Sequence, residues 1–184
     1  MEESMAKSKF KTIDLVYIAL GAVIITVCSW ISIPTIVPFT MQTFAVFCIL
    51  GLLDGKRGTI SIFIYILLGA VGVPVFSGFK GGFSVLIGPT GGYIFGFVIM
   101  GLLYWLLENL LGKKLQIRII ALAAGLLLNY VIGTAWFLVV YARQTGPVSL
   151  GTALGMCVVP FIVPDLIKLA LAVLLFLRIR KYIK

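Results

Sequence analysis

Apolar runs at residues 13–33, 39–53, 59–73, 93–111, 119–141 and 153–177 alternate with short charged or Gly/Pro-rich segments. A helix needs about 20 apolar residues to cover the roughly 30 Å hydrocarbon core of a bilayer, which the first and the last three runs supply. The second and third runs, about 15 residues each, reach only roughly 22 Å and leave a re-entrant hairpin open. Crossing is favoured there, because a hairpin would carry Lys56 and Arg57 away from the cytoplasm or bury them. The pattern therefore predicts an all-α integral membrane protein, a bundle of six transmembrane helices in one domain spanning residues 1–184.

Composition agrees: 61% of the 184 residues are hydrophobic and 11% are charged, with a mean hydropathy of +1.18. Water is not the main solvent of such a chain. A net charge of +9 in a soluble protein would suggest nucleic acid, but here the charges lie between apolar spans and not on one face. Twelve of the fifteen Lys and Arg fall on one side of a six-span arrangement: Lys7, Lys9, Lys11, Lys56, Arg57, Lys113, Lys114, Arg118, Arg178, Arg180, Lys181 and Lys184. The positive-inside rule makes that side, and with it the N and C termini, cytoplasmic. The opposite loops hold Lys80 and Arg143, and Lys168 lies within a span. The first run is too long for a signal peptide and lacks a small-residue cleavage site, so it reads as a retained span. Trp30, Trp136 and Tyr141 near the outer boundary, and Tyr104 and Trp105 nearer the inner one, fit rings at headgroup level, with bundle packing as the alternative.

The outer connections are the long ones and carry the punctuation. All seven prolines lie in them or in the outer half of the last run, which places function on that side. The segment 72–92, GVPVFSGFKGGFSVLIGPTGG, is too apolar for a solvated loop and too rich in glycine for a stable helix. It reads as a lid folded over the bundle. Gly88, Gly92 and Gly96, four apart, invite close approach of a neighbouring backbone.

Asp165 and Lys168 stand mid-span in PFIVPDLIKLALAVLLF, three residues apart and so on one helix face. Each charge costs roughly 2.5–3.5 kcal/mol at a helix centre facing lipid, so both should face the bundle interior or water. Two explanations stand: a self-neutralising pair beside the Pro164 kink, or the polar end of a ligand pocket. Asn129 fits either a pocket or an interhelical hydrogen bond. Tyr93, Gln42 and Thr43 open spans on the outer side and are candidates to converge with them. Such a set suits a small molecule with a neutral hydrogen-bonding head, an apolar body and an acid tail.

Cys28, Cys48 and Cys157 sit in apolar surroundings without C-x-x-C spacing, and the chain has no histidine. Histidine-dependent zinc and nucleophilic hydrolysis are thereby excluded. The run GLLDGKRG lacks the spacing and hydroxyl of a phosphate loop, so any ATP-driven step belongs to a partner. No acidic path suits an ion channel, and the six acids are too scattered for a metal-dependent lipid transferase.

IPTIVPFTMQTFAV (33–46), GLLDGKRG (51–58), GVPVFSGFKGG (72–82), GPTGGYIFGF (88–97) and PFIVPDLIKLALA (160–172) together resemble the BioY family, the biotin-specific S components of energy-coupling factor (ECF) transporters. The resemblance covers nearly the whole chain. It implies a six-helix fold that captures biotin near the outer face under a loop lid, in the cell membrane of a prokaryote. It further implies work with an ECF coupling transmembrane subunit and two ATPase subunits, and no catalysis or cofactor in this chain. Carried onto matching positions, Asp165 and Asn129 would bond the ureido ring and Lys168 a polar or charged group such as the carboxylate. Tyr93, Gln42 and Thr43 would close the pocket. Such S components often dock the coupling subunit through A-x-x-x-A on the first helix, where this chain has Ala19-Leu-Gly-Ala-Val23. A self-contained facilitator of a small amphiphilic carboxylate is the alternative.

Overall fold

A computed structural model describes residues 11–179. The first helix, α1 (Thr12–Trp30), starts where the Asp14 carboxylate turns back to accept the Lys11 N–H at 3.0 Å, the acidic half of a capping box. It is followed by a two-stranded antiparallel hairpin, β1 (Ser32–Ile33) with β2 (Phe39–Thr40), whose register pairs Ser32 with Thr40 and Ile33 with Phe39. Pro34 and Pro38 lie in the connection between the strands, where a missing N–H costs no ladder bond.

α2 (Gln42–Ala70) is broken at Asp54, whose backbone adopts φ 68°, ψ 165°. The chain reverses there. A Cβ on Gly58 would come within 3.1 Å of the Leu50 Cα, and the Gln42 Nε2 donates to the Tyr65 hydroxyl at 3.1 Å across the hairpin. The second and third apolar runs are thus two antiparallel arms, 42–53 and 55–70, joined at an Asp-Gly turn.

A short turn of helix, α3 (Phe83–Leu86), leads into α4 (Gly91–Leu111), α5 (Leu115–Thr145), α6 (Leu150–Cys157) and α7 (Val159–Ile179). The last apolar run is therefore two helices, with Val158 outside helical geometry at the joint and Pro164 inside α7. Among the described residues, Thr12–Trp30, Gly91–Leu111, Leu115–Thr145 and Leu150–Ile179 are long and apolar enough to cross a membrane. Packing pairs α1 with α2, α4 with α5, and α2 with both α4 and α7. α5 and α7 hardly touch, because a cavity lies between them.

Two expectations are corrected here. Tyr104 is fully buried in the core and is not an interfacial ring. Trp136 donates its indole N–H to the Gly88 carbonyl at 2.9 Å and fills the space beside Gly92, so its ring fastens a loop. Arg118, one of the twelve basic residues assigned to a single side, is buried at 1% exposure. Lys7, Lys9, Arg180, Lys181 and Lys184 lie outside the described residues.

Candidate functional site

A cavity of about 400 Å³ opens among the β1–β2 connection, the 72–90 segment, and α2, α4, α5, α6 and α7. That volume falls within the roughly 300–1,000 Å³ of small-molecule pockets. All of Gln42, Thr43, Tyr93, Asn129, Asp165 and Lys168 line it, although they come from four helices and span more than 120 positions of the chain.

Asp165 and Lys168 meet as i and i+3 on α7 at 2.8 Å, with their side chains 4% and 5% exposed. Each has further partners. The Tyr130 hydroxyl donates to the second Asp165 oxygen at 2.7 Å. The Lys168 ammonium donates to the Thr40 carbonyl at 2.8 Å and stands 4.1 Å over the Phe39 ring, which stacks in turn on Phe161. The pair is thus tied to α5 and to β2, and the β1–β2 hairpin is held down on α7 by a side chain that also faces the cavity.

Asn129 is buried at 4% exposure, and its amide oxygen has no hydrogen-bond partner among the described residues. It lies so close to Gly96 that any Cβ there would overlap it, so the glycine at that position makes room for the amide. A buried, unpaired amide group costs about 1–3 kcal/mol unless something else satisfies it. Tyr93 bonds the Thr134 hydroxyl at 3.0 Å and packs into the gap left by Gly133. Gln42 is engaged with Tyr65.

The 72–90 segment is packed and forms one wall of the cavity through Phe76, Ser77, Lys80, Ser84, Val85 and its neighbours. Phe76 is buried against Tyr65 with rings 5.5 Å apart. Trp30 donates to the Pro74 carbonyl at 2.9 Å and Ser29 to that of Val75 at 2.5 Å, while the Gly82 N–H reaches the Gly69 carbonyl at 2.7 Å. With Trp136 on Gly88, two indoles hold the two ends of the wall.

Sequence reasoning missed Tyr130, Phe39, Thr40 and Phe161. For Phe161 a signal existed: it precedes Asp165 by four residues, so Phe161, Asp165 and Lys168 share one face of α7. For the others, only the tertiary fold brings α5 and β2 to the pair.

A model of the BioY family matches residues 3–184. The chain is similar to "Biotin transporter BioY" of Thermotoga maritima, at 40% identity over 91% of this chain and 96% of the relative. It is likewise similar to "Biotin transporter BioY2" of Lactococcus lactis subsp. cremoris, at 40% identity over 86% and 85%. Among solved structures it matches the crystal structure of the S-component for biotin from an ECF-type ABC transporter with a TM-score of 0.80 and 27% identity, covering 94% of this chain and 95% of that one.

Proposed function

The chain belongs to the BioY family, and from that premise we propose that it is an S component, a membrane subunit that captures biotin at the outer face for ATP-driven import. With the two arms of α2 counted separately and α6–α7 counted as one kinked pass, it crosses the cell membrane of a prokaryote six times, both termini in the cytoplasm. An ECF coupling subunit and two ATPase subunits supply the energy, and this chain performs no chemistry.

The observation that carries the reading is the buried Asp165–Lys168 pair facing a cavity beside an amide oxygen with no partner among the described residues. A cyclic urea offers two N–H donors and one carbonyl in a rigid plane. Asp165 and Asn129 are two acceptors for the N–H groups, and Lys168 donates to a polar group of the ligand. Tyr93, Gln42 and Thr43 close the pocket, and the apolar ring system lies against Phe76, Phe97 and Phe161.

Titration of the purified protein tests this. Biotin is expected to bind with Kd below about 1 μM, that is by more than about 8 kcal/mol. Folded protein that binds biotin more weakly than that overturns the ligand assignment. In liposomes, uptake is expected only with the coupling and ATPase subunits present, and uptake by the chain alone would favour a facilitator.

A further inference from the structure

Three charged side chains line the cavity: Asp165, Lys168 and Lys80. The first two neutralise one another at 2.8 Å, and Lys168 donates a further hydrogen bond to the Thr40 carbonyl. The charge left over is Lys80, on the exposed rim. Its side chain has no ion pair or hydrogen bond among the described residues, and Arg143, the other basic residue of the outer loops, does not line the cavity.

The backbone under Lys80 is fixed from both sides. The Phe76 N–H donates to the Lys80 carbonyl at 2.9 Å as an isolated antiparallel bridge, and the buried Phe76 ring anchors it to the core. Phe79 stacks on Trp30 with centroids 4.9 Å apart while holding φ 55°. A bulky residue in the left-handed region is disfavoured, and such strain persists only where surrounding contacts over-determine it. Ser77 and Ser84 flank Lys80 along the same wall, and neither hydroxyl has a hydrogen-bond partner among the described residues. An ammonium and two hydroxyls on a tightly held turn are the donor set that a carboxylate takes.

We propose that the Ser77–Lys80–Ser84 wall is the subsite for the ligand's carboxylate, so that the ligand lies with its hydrogen-bonding head at the buried Asp165–Lys168 pair and its acid tail at the rim. This rests on the S-component reading above and assigns the acid to Lys80 instead of Lys168. A second anion at Lys168 would share an ammonium already neutralised by Asp165, whereas at Lys80 it meets an uncompensated charge.

The test is the affinity of detergent-purified protein for biotin and for its neutral carboxamide, in wild type, Lys80→Ala and Lys80→Arg. Wild type is expected to prefer biotin by about fivefold, the scale of a solvent-exposed charge pair reinforced by hydroxyl donors. Lys80→Ala should weaken biotin by about that factor, leave the carboxamide unchanged and abolish the preference. Lys80→Arg should retain it. Equal losses for both ligands, or an unchanged preference in Lys80→Ala, overturn the subsite while leaving biotin capture intact. Failure of folded wild type to bind biotin overturns capture and subsite together. Lys80 is exposed and bonded only through its backbone, so the variants are expected to fold.

Discussion

Two of the places where the described residues bury charge are built differently. At one end of the bundle Arg118 sits among Asp54, Glu108 and the turn of α2. Its guanidinium donates to the Lys113 carbonyl at 3.2 Å, the Gly51 carbonyl at 2.9 Å, Asp54 at 3.1 Å and Glu108 at 2.8 Å. The other Glu108 oxygen accepts the Gly55 N–H at 2.7 Å, and Lys113 adds a 3.0 Å ion pair to Asp54. Donors and acceptors there close on one another and on backbone. Toward the cavity Asp165 and Lys168 also pair, but beside an open volume and an amide oxygen that nothing among the described residues satisfies. Burial of charge alone does not mark a binding site. A network that closes on itself holds the fold together, and one left open toward a cavity has room for a ligand.

The largest effect that would sharpen the contrast is on the closed side. Arg118→Met removes the one cation that reaches Glu108, Asp54 and the Gly51 carbonyl together, leaving a buried carboxylate uncompensated. Breaking a buried ion pair from one side costs about 3–5 kcal/mol. Thermal unfolding in detergent should report a loss of that order, while biotin affinity per folded molecule stays within about twofold of wild type. A large affinity loss with unchanged stability would erase the distinction between the two regions.

Asp165→Asn is the counterpart on the open side. It replaces a carboxylate acceptor by an amide, leaves Lys168 without its counter-charge and changes the group proposed to meet the ligand's N–H. Titration should show biotin weakened by more than about tenfold, more than about 1.4 kcal/mol. A tenfold loss in affinity with a smaller loss of stability than Arg118→Met is the expected pattern. Unchanged affinity would make the pair structural, like its closed counterpart.

What was readable in advance follows the same division. Asp165 and Lys168 stood out because an apolar run gives two charges no reason to be there except an interior partner. The break between the second and third runs was legible because a charged, glycine-containing stretch, 54–58, separates them, although its Asp-Gly reversal was not. Arg118 could not be told from its neighbours Lys113 and Lys114, since its partners Gly51 and Asp54 lie 67 and 64 residues away and position near a span end is all that a charge count sees. Trp136 and Tyr104 failed for a related reason: an aromatic ring near a span end has the same sequence signature whether it faces headgroups or fills a gap beside a glycine. The α6–α7 joint was hidden inside one apolar run, because the hydropathy pattern does not register a break that both helices share with lipid.

The smallest effect discriminates most finely between an orienting group and a ligand contact. Tyr130 lines the cavity and donates to the Asp165 oxygen that does not face Lys168. A carboxylate oxygen carries two lone pairs, so the hydroxyl and a ligand N–H can share it. Tyr130→Phe keeps the ring, loses the 2.7 Å bond and leaves the carboxylate free to rotate about its last torsion. If the hydroxyl only orients Asp165, biotin affinity should fall by about threefold, well short of Asp165→Asn, because the freed carboxylate must be ordered again when the ligand binds. The empty protein loses the same bond and about 1 kcal/mol of stability, and because a ligand stabilises by RT ln(1 + [L]/Kd), the stabilisation by a fixed excess of biotin should shrink by only about 0.7 kcal/mol. A loss of affinity as large as that of Asp165→Asn, with the stability of the empty protein unchanged, would instead put the hydroxyl in direct contact with the ligand, because only a bond made in the bound state lowers affinity without first lowering the stability of the empty protein.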